Sequence, residues 1–156
     1  MGKGSKKAKL LSKGVVARNK AARHEYELIE TFEAGMVLLG SEVKAMRARE
    51  ASLQESFAYI KNGELWLMKA YVPPWEYSAQ GGHDPYRQRK LLLHRREIRN
   101  LLAQVKIKGI TIVPLELYFN DRGIAKLKLA VARGKKLHDK RESLKKREAE
   151  QEIRQV

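Results

Sequence analysis

Residues 57–68 have the sequence FAYIKNGELWLM, in which two apolar segments flank an Asn-Gly pair. Both central positions of a type I′ hairpin turn require positive φ angles, which Asn and Gly adopt readily. The twist of that turn also matches the twist of paired strands. The stretch therefore predicts two antiparallel strands joined by a tight turn, with residues 71–72 extending the second strand as far as a Pro-Pro pair.

A second hairpin is predicted later in the chain. Apolar residues alternate along residues 113–119 and again along residues 125–131, and Asn120-Asp121-Arg122-Gly123 supplies a turn between them. Residues 26–39 also have strand-like composition, with Gly35 and Gly40 as breaks. Short strands without a βαβ repeat indicate a mainly β protein, built as a small antiparallel barrel.

Helices are predicted at two places between the strands. Asp84-Pro85 is typical of a helix start, and apolar residues recur at helical spacing further along the same segment. This pattern indicates a helical insert over residues 84–108, either as one helix or as two that meet near His94. Ser41 is predicted to cap a shorter helix over residues 42–49.

The chain is strongly basic, with 33 Lys and Arg residues against 18 Asp and Glu residues and a formal net charge of +15. The charge is uneven, because residues 1–23 contain eight basic and no acidic side chains. An anionic partner relieves the self-repulsion that such a charge causes. Nucleic acid is the favoured partner, since each neutralised phosphate releases a condensed counterion. Simple solubilisation of the chain is the alternative.

The composition divides the chain into three parts. Residues 1–20 have few apolar side chains and are predicted to form a flexible basic arm. Residues 21–132 form the barrel body with its helical insert, and residues 133–156 form a basic tail. The tail has too few apolar residues to pack on the body, and an isolated helix is marginal in water. We therefore expect the tail to be disordered when free and helical when bound.

The sequence lacks the patterns of the common enzyme classes. It has no cysteine, its four histidines do not have metal-ligand spacing, and it contains neither a phosphate-binding loop nor a nucleophile elbow. We expect no catalytic residues, no metal and no cofactor; a metal-dependent nuclease using Glu33 and Asp84 is a weak alternative. Without a membrane-length apolar run or a secretory signal, the expected location is the cytoplasm, with no membrane contact.

Five ordered motifs carry a resemblance to a known family. They are NKAARHEY at 19–26, FEAG at 32–35, GSEVK at 40–44, DPYRQRKLLLH at 84–94 and RGKKLHDKR at 133–141. Together they resemble small protein B, the family of SsrA-binding proteins of bacterial trans-translation. The resemblance extends over about residues 19–154.

The resemblance implies an oligonucleotide-binding (OB) type β-barrel with flanking helices and a C-terminal tail, and no catalysis. It also implies an RNA-binding protein that binds the tRNA-like domain of transfer-messenger RNA (tmRNA). Such a protein delivers tmRNA to stalled ribosomes, which are rescued while the incomplete polypeptides are tagged. We expect a monomer. The alternative is a general RNA chaperone or ribosome-associated RNA-binding module without specificity for tmRNA.

The resemblance also implies two sets of site residues. The RNA-binding set consists of Asn19, Lys20, Arg23, Glu33, Leu92, His94 and Lys126. The set that enters the vacant mRNA path beside the ribosomal decoding centre consists of Arg133, Lys135, Lys136, His138, Asp139, Lys140 and Arg141.

Overall fold

The structure of the protein, a computed structural model, describes residues 14–75 and 82–134. Within them the strands are β1 (Val15–Arg18), β2 (Tyr26–Met36), β3 (Phe57–Lys61), β4 (Glu64–Met68), β5 (Arg89–Leu92), β6 (Ile110–Phe119) and β7 (Ala125–Gly134). The helices are α1 (Ala22–Glu25), α2 (Gly40–Arg47) and α3 (Arg95–Val105). Most of the predicted arm and of the predicted tail lies outside the described residues.

The strands form one antiparallel sheet that closes into a barrel. The order around the barrel is β6, β3, β4, β5, β2 and β7, and β7 pairs with β6 again. β3 pairs with the N-terminal part of β6 at Ile112, whereas β1 pairs with its C-terminal part, where Ala17 lies opposite Leu117. The prediction of a mainly β, antiparallel barrel with flanking helices is confirmed.

The first predicted hairpin is formed by β3 and β4. Asn62 and Gly63 have φ angles of 52° and 74°, as a type I′ turn requires. The second strand is shorter than predicted, because Lys69, with a φ angle of 60°, turns the chain out of the ladder. The extension to residues 71–72 is therefore wrong: Tyr71 instead forms an isolated bridge with Ser52.

The second predicted hairpin is formed by β6 and β7, with Phe119 opposite Ala125. In its turn the side-chain oxygen of Asn120 accepts hydrogen bonds from the backbone N–H groups of Arg122 and Ile124, each at 3.0 Å. An Asn side chain that bonds to the backbone ahead of it stabilises a turn at that place. Local chemistry therefore sets the register of this hairpin.

Apolar side chains fill the barrel interior, and others pack on its outside. The interior is closed by Met46 of α2 and contains the leucines of four strands. These fully buried leucines are Leu65, Leu67, Leu91, Leu117, Leu127 and Leu129. A smaller buried cluster lies on the outer face of β6 and β7, where Ala22 of α1 covers Val113, Leu115, Ala130 and Ala132.

The helical insert predicted over residues 84–108 is wrong in its first half. β5 occupies part of that segment, and α3 begins only after His94. The Oδ1 atom of Asp84 accepts a hydrogen bond from the N–H group of Tyr86 at 2.9 Å, as an N-cap does, but it closes a turn and no helix follows it. β5 pairs with β4 and β2, and its Leu91 is buried in the barrel. Sheet pairing and burial therefore outweigh the local helix signals.

Several predicted boundaries also differ from the structure. The arm predicted over residues 1–20 includes β1, which is held by its ladder with β6. β7 continues through Arg133, because the long β2 pairs with it as far as Gly134, so Arg133 belongs to the barrel and not to the tail. Gly35 lies inside β2 and does not end it. Ser41 lies inside α2, whose N-terminus is capped by the carboxylate of Glu42.

Candidate nucleic-acid interface

Glu33, Leu92 and Lys126 are brought together on the outer face of three neighbouring strands. The reason is the position of β2, which pairs with β5 on one side and with β7 on the other. Gly35 on β2 lies opposite both Leu92 on β5 and Lys126 on β7. Glu33 lies two residues before Gly35, and side chains two residues apart on a strand point to the same face. The side chains inward of this surface, such as Leu127, are buried in the core.

Gly35 leaves a strip without a side chain between Leu92 and Lys126. A Cβ atom at Gly35 would lie 3.4 Å from the Cβ atom of Leu92 and 3.9 Å from the Nζ atom of Lys126. The leucine and the ammonium group therefore border the same short piece of bare backbone. Leu92 is 49% exposed although it lies in a barrel strand. The surface thus combines an apolar side chain, a cation and accessible backbone, which suits close contact with a ribose-phosphate chain.

Tyr118 and Lys128 complete this surface, and neither was predicted as a site residue. Tyr118 lies opposite Lys126, and Lys128 lies opposite Glu33, so all four side chains share the outer face. The hydroxyl group of Tyr118 donates a hydrogen bond to the Oε2 atom of Glu33 and holds the carboxylate in place. Alternation along β6 and β7 was the sequence signal that could have identified both residues. We call Glu33, Leu92, Lys126, Tyr118 and Lys128 the Glu33 surface.

His94 lies at the end of the Glu33 surface. It follows Leu92 by two positions, and it is exposed at the start of α3. Its backbone N–H group donates to the Oε1 atom of Glu97 at 3.2 Å, which fixes the position of the helix start. An exposed imidazole that is held on a helix start can stack on an unpaired base.

Asn19, Lys20 and Arg23 form a second group at the junction of β1 and α1. The side-chain amide of Asn19 donates to the carbonyl oxygen of Pro114 at 2.9 Å, and its backbone N–H group donates to that of Leu115 at 2.8 Å. Asn19 therefore holds the end of β1 against β6. Lys20 and Arg23 are exposed and can contact phosphates. The structure thus divides the predicted RNA-binding set between two places on the barrel.

Two basic residues of the DPYRQRK segment are engaged within the protein. Arg89 is fully buried, and its Nε atom donates to the Oε2 atom of Glu42 at 2.5 Å. The other nitrogens of Arg89 donate to the carbonyl oxygens of Ala70 and Pro85 at 2.9 and 3.1 Å. Arg87 donates to the Oε1 atom of the same carboxylate at 2.6 Å. Arg87 and Arg89 are therefore paired with Glu42, so this segment has fewer free positive charges for an anionic partner than its sequence indicates.

Glu42 is fully buried, and its protonation follows from its partners. Burial alone raises the pKa of its carboxyl group. The hydrogen bonds from Arg87 and from the N–H group of Leu39, together with the charge of Arg89, lower this pKa by more than burial raises it. The net pKa lies below the ordinary value, so the carboxylate is ionised at neutral pH. Burial lowers the pKa of Arg89, and the nearby carboxylate of Glu42 partly offsets this decrease. The sequence showed Glu42 only as part of a motif, without its partners.

Of the residues predicted to act in the mRNA path, the structure describes only Arg133. Arg133 lies near the end of β7 and is exposed. Lys135, Lys136, His138, Asp139, Lys140 and Arg141 lie outside the described residues. Within 14–75 and 82–134, no three metal-ligating side chains are grouped so that they could hold an ion. Across the same ranges, no helix is long and apolar enough to span a membrane.

Comparison with known proteins gives consistent matches. The SmpB protein family matches residues 16–156. An SsrA-binding protein of Wolbachia pipientis subsp. Culex pipiens (strain wPip) is 50% identical over 138 residues, 88% of this chain and 93% of that protein. One of Desulforudis audaxviator (strain MP104C) is 53% identical over 138 residues, 88% of this chain and 90% of that protein. A solved structure described as "tmRNA-SmpB: a journey to the center of the bacterial ribosome" matches with a TM-score of 0.64 and 51% identity, covering 76% of this chain and 82% of that one.

Proposed function

The chain belongs to the SmpB protein family, and from this membership we propose that it binds tmRNA and acts with it in trans-translation. It binds the tRNA-like domain of tmRNA and delivers the RNA to stalled ribosomes, where incomplete polypeptides are tagged. The observation that carries this proposal is the Glu33 surface, where three neighbouring strands bring Glu33, Leu92 and Lys126 to one outer face.

The Glu33 surface can recognise a folded RNA through shape and backbone contacts. Lys126 neutralises a phosphate, and Leu92 packs against a ribose or the face of a base beside the bare backbone at Gly35. Glu33, held by Tyr118, accepts hydrogen bonds from exocyclic amino groups of bases. The carboxylate of Glu33 beside Lys126 and Lys128 disfavours a purely electrostatic interaction and favours one orientation of the RNA. His94 extends the contact at the start of α3.

Lys20 and Arg23 offer further exposed cations to the RNA, in a position held by Asn19. The second partner is the ribosome. Arg133 at the end of the barrel and the basic tail residues from Lys135 to Arg141 act in the mRNA path beside the decoding centre, as the resemblance implies. Body and tail therefore divide the work: the barrel holds tmRNA and the tail acts on the ribosome. The protein acts as a monomer in the cytoplasm and supplies binding, not catalysis.

Selective capture of tmRNA tests this proposal. The full chain is purified from bacterial cells under native conditions, and the RNA that co-purifies is sequenced. We expect tmRNA to be enriched well above transfer RNAs, which share the tRNA-like shape. Equal recovery of structured RNAs would contradict the proposal and would support the alternative of a general RNA chaperone.

Removal of the residues after Gly134 tests the division of work. The shortened protein keeps the whole barrel, because β7 ends at Gly134. We expect its affinity for tmRNA to stay close to that of the full chain, whereas tagging on stalled ribosomes is lost. Equal loss of both activities would show that tail and barrel do not act separately.

A further inference from the structure

A groove on the barrel is lined by residues that do not belong to the Glu33 surface. Two adjoining pockets of about 680 and 320 Å³ share Ser52 and Gln54 in their walls. The larger pocket ends at Tyr71 and Tyr86, and the smaller one ends at Arg18 and Lys20. We call this continuous depression the Tyr71 groove.

The aromatic end of the groove presents two exposed rings on a rigid support. The rings of Tyr71 and Tyr86 are 5.2 Å apart at an interplanar angle of 49°, and they are 36% and 58% exposed. The backbone of Tyr71 exchanges hydrogen bonds of 2.8 and 2.9 Å with Ser52. Asp84 holds the N–H group of Tyr86. The backbone beneath both rings is therefore fixed while the rings face solvent.

Basic side chains border the groove on both sides of its centre. Lys69 lines the larger pocket, and its Nζ atom lies 5.9 Å from the centre of the Phe57 ring. Lys20 and Arg18 line the smaller pocket, and Arg18 makes a 3.7 Å ion pair with Glu116. One carboxylate, that of Glu55, is among the described lining residues. The groove thus carries an excess of positive charge along its length.

We propose that the Tyr71 groove binds an unpaired strand of RNA. Bases stack on the rings of Tyr71 and Tyr86, and the sugar-phosphate chain follows Lys69 toward Lys20 and Arg18. Aromatic platforms beside cations are the usual means of holding single strands without sequence preference. A duplex cannot use the rings, because its bases already stack on one another. The groove shares no lining residue with the Glu33 surface, so the two sites can be varied independently.

An unstructured 12-nucleotide RNA that carries one 2-aminopurine tests the groove with the full chain. Stacking on a ring quenches 2-aminopurine fluorescence, and anisotropy of an end-labelled copy gives the affinity at a fixed salt concentration. Tyr86→Leu removes the ring and keeps an apolar side chain, while Tyr86→Phe keeps the ring and is the matched control. We expect Tyr86→Leu to bind roughly 5- to 100-fold more weakly and to lose quenching, and Tyr86→Phe to bind like the natural protein.

Equal affinity and quenching for Tyr86→Leu and Tyr86→Phe would overturn the proposal and would leave the rings to a different partner, such as a peptide. The exposed position of Tyr86 makes both variants compatible with folding, and circular dichroism verifies it. Lys61→Ala, which removes one charge at the exposed end of the first hairpin, should leave the 12-nucleotide affinity within about twofold of the natural value. This assay does not depend on tmRNA selectivity, so its failure and the failure of the proposed function are distinguishable.

Full-length tmRNA and its isolated tRNA-like domain identify the source of the strand. If Tyr86→Leu weakens binding of the full-length RNA only, the unpaired strand belongs to tmRNA itself. If it weakens binding of the 12-nucleotide RNA but of neither tmRNA form, the strand comes from another RNA. Both results support the groove as a second RNA site.

Discussion

Glu42→Gln removes the carboxylate that Arg87 and Arg89 share and keeps nearly the same side-chain volume. In the natural protein Glu42 accepts hydrogen bonds from both guanidinium groups and from the N–H group of Leu39. The variant leaves the charge of Arg89 fully buried without a countercharge, with the carbonyl oxygens of Ala70 and Pro85 and at most the one oxygen of Gln as acceptors. The NH2 group of the Gln amide would also face groups that are themselves donors, the guanidinium groups and the N–H group of Leu39. Breaking a buried ion pair from one side costs about 3–5 kcal/mol.

A loss of that size is a large part of the stability of a single domain, which is about 5–15 kcal/mol. We expect the urea midpoint of Glu42→Gln to fall clearly, as followed by the fluorescence of Trp66 and Trp75. The matched control is Glu64→Gln, which breaks the 3.5 Å ion pair between Glu64 and Lys90. The side chains of Glu64 and Lys90 are 44% and 39% exposed. That exposed pair contributes about 0–1 kcal/mol.

A second variant separates the buried charge from the lost hydrogen bonds. Glu42→Gln combined with Arg89→Met removes the unpaired cation, so it should be more stable than Glu42→Gln alone. The reasoning is refuted if Glu42→Gln costs no more than Glu64→Gln, because the buried network would then contribute no more than an exposed ion pair.

Three further predictions concern acid, turns and the site. Since folding lowers the pKa of Glu42, the free energy of unfolding should fall as the pH drops below about 4.3, and Glu42→Gln should flatten this fall in acid urea titrations. Gly14→Ala should lower the free energy of unfolding more than Gly123→Ala. Both glycines have positive φ angles, but a Cβ atom at Gly14 would lie 2.3 Å from the carbonyl oxygen of Phe119, whereas a Cβ atom at Gly123 would have no atom beyond its chain neighbours within 4 Å. Urea midpoints compare the two variants, and equal losses would refute the steric cause. Tyr118→Phe should weaken tmRNA binding roughly 2- to 10-fold in filter binding without changing the thermal midpoint, because Glu33 loses its donor; unchanged affinity would show that this hydrogen bond does not matter for RNA.

Sequence predicted the parts of the fold that are encoded locally. Asn62-Gly63 sets a turn by its own φ angles, and residues 120–123 do so through the Asn120 side chain. Alternation then fixed which side of each strand is buried. The closed barrel followed from these elements, because neighbouring short strands without βαβ repeats have few other arrangements.

The parts that sequence missed depend on partners distant in the chain. β5 resembles a helix locally, and it becomes a strand because β4 and β2 offer it two ladders. Arg89 looks like a surface cation, and only its contact with Glu42, 47 residues away, explains its burial. The Glu33 surface depended on resemblance for the same reason: Leu92 and Lys126 meet only because β2 pairs with both strands that carry them.

The affinity of Lys126→Ala for the isolated tRNA-like domain of tmRNA tests the role of the Glu33 surface most directly. Lys61→Ala is the matched control, since it removes an equal charge from the exposed end of the first hairpin. We predict roughly 10- to 100-fold weaker binding for Lys126→Ala, the size expected for a lost charge-assisted contact, and less than a twofold change for Lys61→Ala. Equal losses for the two variants would mean that only net charge binds the RNA, and they would contradict the Glu33 surface as the site.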